Sequence, residues 1–284
     1  MQRVRSAMPV NTLPARASGL PPWFDEQQTH VQAPSLWAAA GLIALYFLLQ
    51  AVAGGLAALL MGLATGFVQI GKGIKPIGAE IRTMLAQPGI PAILVMLTLG
   101  VAAAVILPLV RKKWPSLWAI AKPPGLGVTL PVNPAFFGLA LIIGVLAPLA
   151  GGLLTALLAD GKSVTQDIQD LGAHTPLALR IVLVVVVASL GPLVEELLFR
   201  GVLLSALMQR CRTGWSIAIS ALLFALVHLP GMQWQWYALP DLALLAAALA
   251  WLRLRSGSLW PAVLAHGINN LMAVVAWFVT TAMT

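Results

Sequence analysis

The sequence predicts an all-α protein, a polytopic transmembrane helical bundle of about seven spans, and three observations predict it. The 284 residues are 60% hydrophobic and only 9% charged, against roughly 25% charged in soluble domains. Uncharged apolar runs such as Leu36 to Ile70 far exceed the roughly 18 residues that mark a membrane span. The basic residues gather at the ends of such runs, as Arg111-Lys112-Lys113, Arg210 with Arg212, and Arg253 with Arg255. Excess Lys and Arg in cytoplasmic loops orients membrane helices, so the formal charge of +8 is read as membrane orientation. The partners expected are membrane lipids and no nucleic acid. Cys211 is the only cysteine, which excludes an intrachain disulfide and Cys-based metal clusters.

Taken in order, residues 1–35 are polar and proline-rich, with Arg3 and Arg5 followed by no apolar core. This is expected to be a flexible tail, not a cleavable signal peptide. The run from Leu36 to Ile70 would be about 50 Å long as one helix, against a hydrocarbon core of about 30 Å. One tilted, protruding helix is favoured over a hairpin broken at Gly54-Gly55, which would raise the count to eight spans. A polar segment from Gly71 to Gly89 precedes a second span, Pro91 to Val110. The stretch Leu117 to Asn133 is rich in proline and glycine, with Trp114 and Trp118 nearby, and reads as interfacial. The third span runs from Pro134 to Ala159, and a loop from Asp160 to Arg180 follows. The fourth starts at Ile181, and Gly191-Pro192 should kink or break it. Trp215 to Leu229, Tyr237 to Leu252 and Leu259 to Ala282 complete the bundle.

With seven spans and the N-terminus inside, the cytoplasmic loops carry four, two and two Lys or Arg, and the opposite loops three, two and none. The expected organisation is a tail (1–35), N-terminal helices and loops (36–180), and a C-terminal helical unit (181–282) that carries the chemistry.

That chemistry begins with Glu195 and Glu196, adjacent acids inside an apolar helical stretch. A carboxylate at the centre of a membrane helix costs about 2.5–3.5 kcal/mol on insertion scales, and the chain has only nine acidic residues. Glu196 and Arg200 are four apart, share a helix face and can pair. Glu195 points about 100° away, free to face a cavity. Phe224 and His228 are four apart, as are His266 and Asn270, and Gly267 allows a neighbour to approach closely. At 1.5 Å per residue, Glu195 and His228 lie about 20 Å from the cytoplasmic ends of their helices and His266 about 10 Å. Asn269 lies beside this set. Asp241 follows Pro240 at the start of a span and reads as an N-cap. His30 and His174 read as solvated surface. Taken singly, the acids and Arg200 could form a structural salt bridge, and the histidines could bond across helices.

The series Glu195-Glu196-x-x-x-Arg200, Phe224-x-x-x-His228 and His266-x-x-x-Asn270 resembles the three motifs of the CAAX-protease and bacteriocin-processing (CPBP) family. That family comprises intramembrane endopeptidases, including type II CAAX prenyl proteases. The flanking Pro192 and the Phe199-Arg200-Gly201 ending strengthen the likeness, which covers roughly Ile181 to Ala282. The resemblance implies catalysis by Glu195, which would activate water with His228, while His266 and Asn270 stabilise the oxyanion. Glu196 and Arg200 would support them, and Phe224 belongs to the same motifs. It implies a peptide or membrane-protein substrate and a bacterial inner membrane, in which the loop charges place the N-terminus on the cytoplasmic side. No cofactor is required in this mechanism. A divalent metal such as zinc stays open, with Glu195, His228 and His266 as candidate ligands. A non-proteolytic immunity or scaffold protein of the same fold, or a proton-coupled transporter, are the alternatives.

Overall fold

The structure is a computed structural model that describes residues 32–73, 78–161, 171 and 175–280, with side chains described outside 78–81 and 275–280. Residues 1–31, and with them His30 and most of the expected tail, lie outside the described residues, as does His174. Every regular element within them is helical. Among the described residues eight helices carry the fold: α1 (Leu36–Gly71), α2 (Gly78–Leu85), α3 (Ile90–Lys113), α4 (Ala135–Ala159), α5 (Leu177–Met208), α6 (Thr213–His228), α7 (Leu239–Ser256) and α8 (Trp260–Thr280). Six helices among the described residues are long and apolar enough to cross a membrane. The seventh expected span is α8, whose side chains are described as far as Val274.

The first apolar run is one unbroken helix. Ser35 starts it, its Oγ accepting the Ala38 N–H at 3.1 Å, which satisfies one of the donors orphaned at a helix start. Glycines without proline weaken a helix by only about 1 kcal/mol each, so Gly54-Gly55 passes through it. Ala39, Leu42 and Tyr46 are buried on one face near its start. Farther along, Leu56, Leu59, Leu60, Leu63 and Phe67 are exposed, as lipid, which is as apolar as leucine, permits. α3 ends on Arg111-Lys112-Lys113, where cations favour the helix C-terminus. The Arg111 guanidinium lies 5.2 Å from the Trp118 ring.

The segment between α3 and α4 folds back on the bundle, and a buried cation ties it down. Arg253, in the last turn of α7, donates from Nη1 to the Ala121 carbonyl at 2.7 Å and from Nη2 to the Gly125 carbonyl at 2.8 Å. It is fully buried, so it is a loop anchor and not the loop-surface charge its pairing with Arg255 suggested. Arg180 is corrected in the same way. α5 starts at Leu177, before the expected Ile181, and the buried Arg180 donates from Nε and Nη2 to the Thr175 carbonyl. One charge leaves each side of the loop count, so the asymmetry stands.

α5 is not broken at Gly191-Pro192. It continues α-helical to Glu196 and then widens into a π-helical stretch, Leu197–Leu203, whose residues are all buried. Such wide turns recur at functional sites. α8 packs against α4, α5 and α7, and its contact with α5 is unusually close. A Cβ built on Gly267 would stand 2.2 Å from the Ala188 carbonyl oxygen. Pro192 has no N–H, so it withdraws the i−4 partner of that same carbonyl. Proline on one helix and glycine on the other thus bring α5 and α8 together at the acids.

Candidate active site

α5 carries Glu195, Glu196 and Arg200, α6 carries Phe224 and His228, and α8 carries His266 and Asn270. The two glutamates diverge as helical geometry requires. Glu196 is fully buried. Its Oε1 accepts from Arg200 Nη1 at 2.7 Å and lies 2.8 Å from His266 Nδ1. Arg200 also donates from Nη2 to the Ala246 carbonyl of α7 at 3.1 Å. Its guanidinium stands 4.5 Å from the Phe224 ring centroid, within cation–π range. Phe224 meets the His228 ring at 4.4 Å and the His266 ring edge-on at 5.6 Å. It packs against both imidazoles and the arginine.

Glu195 faces the other way, into a cavity of about 1130 Å³ that His228, His266, Asn269 and Asn270 also line. Its Oε1 accepts from the Tyr46 hydroxyl of α1 at 3.1 Å. Its Oε2 lies 3.5 Å from His228 Nε2 and 3.8 Å from His266 Nε2. Hydrogen-bond chemistry fixes the tautomers. His228 Nδ1 is 2.8 Å from the Phe224 carbonyl oxygen, which can only accept, so Nδ1 carries the hydrogen. Neutral His228 therefore presents a lone pair at Nε2 towards the Glu195 carboxylate. His266 Nδ1 donates to Glu196, whose Oε1 is already held as an acceptor by Arg200. Asn270 donates from Nδ2 to the Val187 carbonyl of α5 at 3.1 Å, which leaves a second amide hydrogen uncommitted.

Among the described residues no group of three or more His, Cys, Asp or Glu side chains is placed to hold a metal ion.

Asp241 is not the N-cap of its helix. Ala238 occupies that position, and Asp241 sits within the first turn of α7, on the wall of the same cavity. Pro240 occupies the second position, where its missing N–H costs nothing, and this moves the start of the helix upstream.

Residues 177–272 match the family model described as Type II CAAX prenyl endopeptidase Rce1-like. This stretch is Rce1-like. It spans about a third of the chain, is consistent with the CPBP family, and contains the double glutamate, both histidines and Asn270. No curated protein and no solved structure matches the chain. Tyr46 lies outside the Rce1-like stretch and was missed in the sequence. Its one signal is a phenol, among only two tyrosines in the chain, within an uncharged span. A buried hydroxyl there needs a partner.

Proposed function

We propose that the chain is an intramembrane endopeptidase that hydrolyses peptide bonds of membrane-associated substrates, with Glu195 as general base. The observation that carries this reading is the approach of three acceptors, Glu195 Oε2 and the two Nε2 atoms, at 3.5 and 3.8 Å in the cavity wall. With both histidines neutral, none of the three can donate to another. A water donating one hydrogen to Glu195 and one to His228 satisfies both and leaves its own lone pair directed outward, as a nucleophile requires.

Glu195 takes the proton of this water as its oxygen attacks the scissile carbonyl. The oxyanion is met by the uncommitted N–H of Asn270 and by His266. His266 takes up a proton at Nε2 from solvent as the substrate binds and shares it with the oxyanion by a hydrogen bond, Glu196 at its Nδ1 compensates the charge, and the proton returns to solvent as the products leave. Each preset donor of this kind is worth about 2.7–4 kcal/mol in a water-poor site. Collapse of the tetrahedral intermediate breaks the C–N bond, and the proton held by Glu195 passes to the leaving amine. Tyr46, on the other carboxylate oxygen, fixes which oxygen faces the water. No step calls on a metal. The loop charges support an N-terminus on the cytoplasmic side, and the family resemblance supports a bacterial inner membrane.

The decisive comparison is wild type against Glu195→Gln in proteoliposomes, with the C-termini of co-reconstituted membrane proteins mapped by mass spectrometry. New termini are expected with wild type and not with the variant. Equal cleavage by both would overturn the mechanism.

A further inference from the structure

The cavity around Glu195 holds one charged group that the proposed reaction does not use. Its wall includes Leu99, Leu149, Leu242, Leu245, Met232 and Met272, and among the described residues that line it there is no lysine or arginine. Arg200 is near, but it is fully buried and paired with Glu196. Among the described residues, the charged groups facing the cavity are therefore two carboxylates, Glu195 and Asp241, together with the two imidazoles.

Asp241 is partly buried, and among the described residues it has neither a hydrogen bond nor an ion pair. A carboxylate removed from bulk water without a partner is destabilising, and placement in the first turn of α7 offsets only part of that. The backbone nevertheless makes room for it. A Cβ built on Gly151 of α4 would stand 1.6 Å from Asp241 Oδ1, so the carboxylate rests in a recess that any other residue at 151 would fill. The group is held in place against α4 without being satisfied there.

We propose that Asp241 forms a subsite for a basic side chain of the substrate, a lysine or arginine flanking the scissile bond. The inference rests on the endopeptidase reading of the same cavity. A cavity of about 1130 Å³ exceeds the roughly 300–1,000 Å³ that takes a drug-sized ligand and has room for several residues of an extended peptide. Its apolar walls accept aliphatic residues, and the single unpaired carboxylate away from the reacting centre selects the charge. An ammonium or guanidinium there makes charge-assisted hydrogen bonds, stronger than neutral ones, in a site whose described lining residues include no lysine or arginine.

The test uses the full chain in nanodiscs of zwitterionic lipid, with empty nanodiscs subtracted. Fluorescent apolar peptides of one sequence carry lysine, norleucine or glutamate at a single position, scanned along the peptide. Binding is read by anisotropy on Glu195→Gln and on Glu195→Gln/Asp241→Asn, and hydrolysis by wild type. At one position lysine is expected to bind at least about tenfold more tightly than norleucine, with glutamate weaker than both, and the isosteric Asn substitution brings the lysine-to-norleucine ratio close to one. The absence of any position with a lysine preference, or a preference that survives Asp241→Asn, overturns the subsite. Charge-selective binding without hydrolysis by wild type would defeat the endopeptidase reading and leave the subsite standing. Hydrolysis without charge selectivity would do the reverse.

Discussion

The Tyr46 hydroxyl donates to Glu195 Oε1 at 3.1 Å across 149 positions of sequence, so the first helix of the bundle orients the proposed general base. A hydrogen bond to a charged group is worth about 1.5–3 kcal/mol. Tyr46→Phe keeps the buried ring and removes only that bond. It is expected to lower kcat about tenfold or more, at 1.4 kcal/mol per decade, with KM and the unfolding temperature little changed. Because Tyr46 acts through Glu195, the split between kcat and KM is the diagnostic reading. An unaltered kcat would show that Glu195 is oriented without it.

Glu196 and Arg200 form a buried pair that also holds His266. Removing one partner of such a pair leaves a buried charge and costs about 3–5 kcal/mol. Arg200→Met should therefore lower thermal stability in detergent strongly. Arg200→Lys should recover little, since one ammonium cannot reach Glu196 and the Ala246 carbonyl while also stacking on Phe224. The double variant Glu196→Gln/Arg200→Met is expected to regain much of the stability. It should not regain activity, because His266 Nδ1 has lost its carboxylate. Recovery of both together would reduce the pair to a structural bridge.

How far the site could be read from the chain depends on what each residue's neighbours were. The divergence of Glu195 from Glu196, and the Glu196–Arg200 contact, follow from helical geometry over four residues, so local sequence was sufficient. The meeting of α5, α6 and α8 required three motifs to be read together, since no single span specifies its partners. Tyr46 was out of reach, because a phenol on α1 reveals nothing of α5 until the helices pack. Arg180 and Arg253 were misplaced for a related reason. A basic residue at a span end looks the same whether it meets headgroups or backbone carbonyls, and only tertiary structure supplies the carbonyls of Thr175, Ala121 and Gly125. Asp241 was misjudged because Pro240 moves the start of its helix.

The close approach of α5 and α8 gives a prediction with an internal control. Gly267→Ala sets a methyl 2.2 Å from the Ala188 carbonyl, a backbone atom that cannot swing aside. The helices must separate, at about 1–3 kcal/mol for overpacking, and His266 and Asn270 move away from Glu195 with them. Lower thermal stability and a large loss of hydrolysis are expected. Gly138→Ala, where an added Cβ meets nothing within 4 Å, should be neutral or stabilising by up to about 1 kcal/mol. Similar behaviour of the two variants in a thermal melt would show that the contact does not set the helix spacing.

Metal dependence separates two chemistries that the same three residues could serve. If His228 and His266 were ligands, both Nε2 lone pairs would be directed at an ion and Glu195 could not act as a free base. The hydrogen bonds from both Nδ1 atoms, to the Phe224 carbonyl and to Glu196, leave those lone pairs facing one carboxylate oxygen. Hydrogen bonds of this kind also orient metal-bound histidines; the proposed mechanism places a shared water there, and no group of three ligating side chains is placed for an ion among the described residues. Hydrolysis by the reconstituted protein is therefore expected to persist after exhaustive treatment with a membrane-permeant chelator, and added zinc should not increase it. Loss of activity on chelation that zinc restores would move Glu195 from base to ligand, and the nucleophile would then be a metal-bound water.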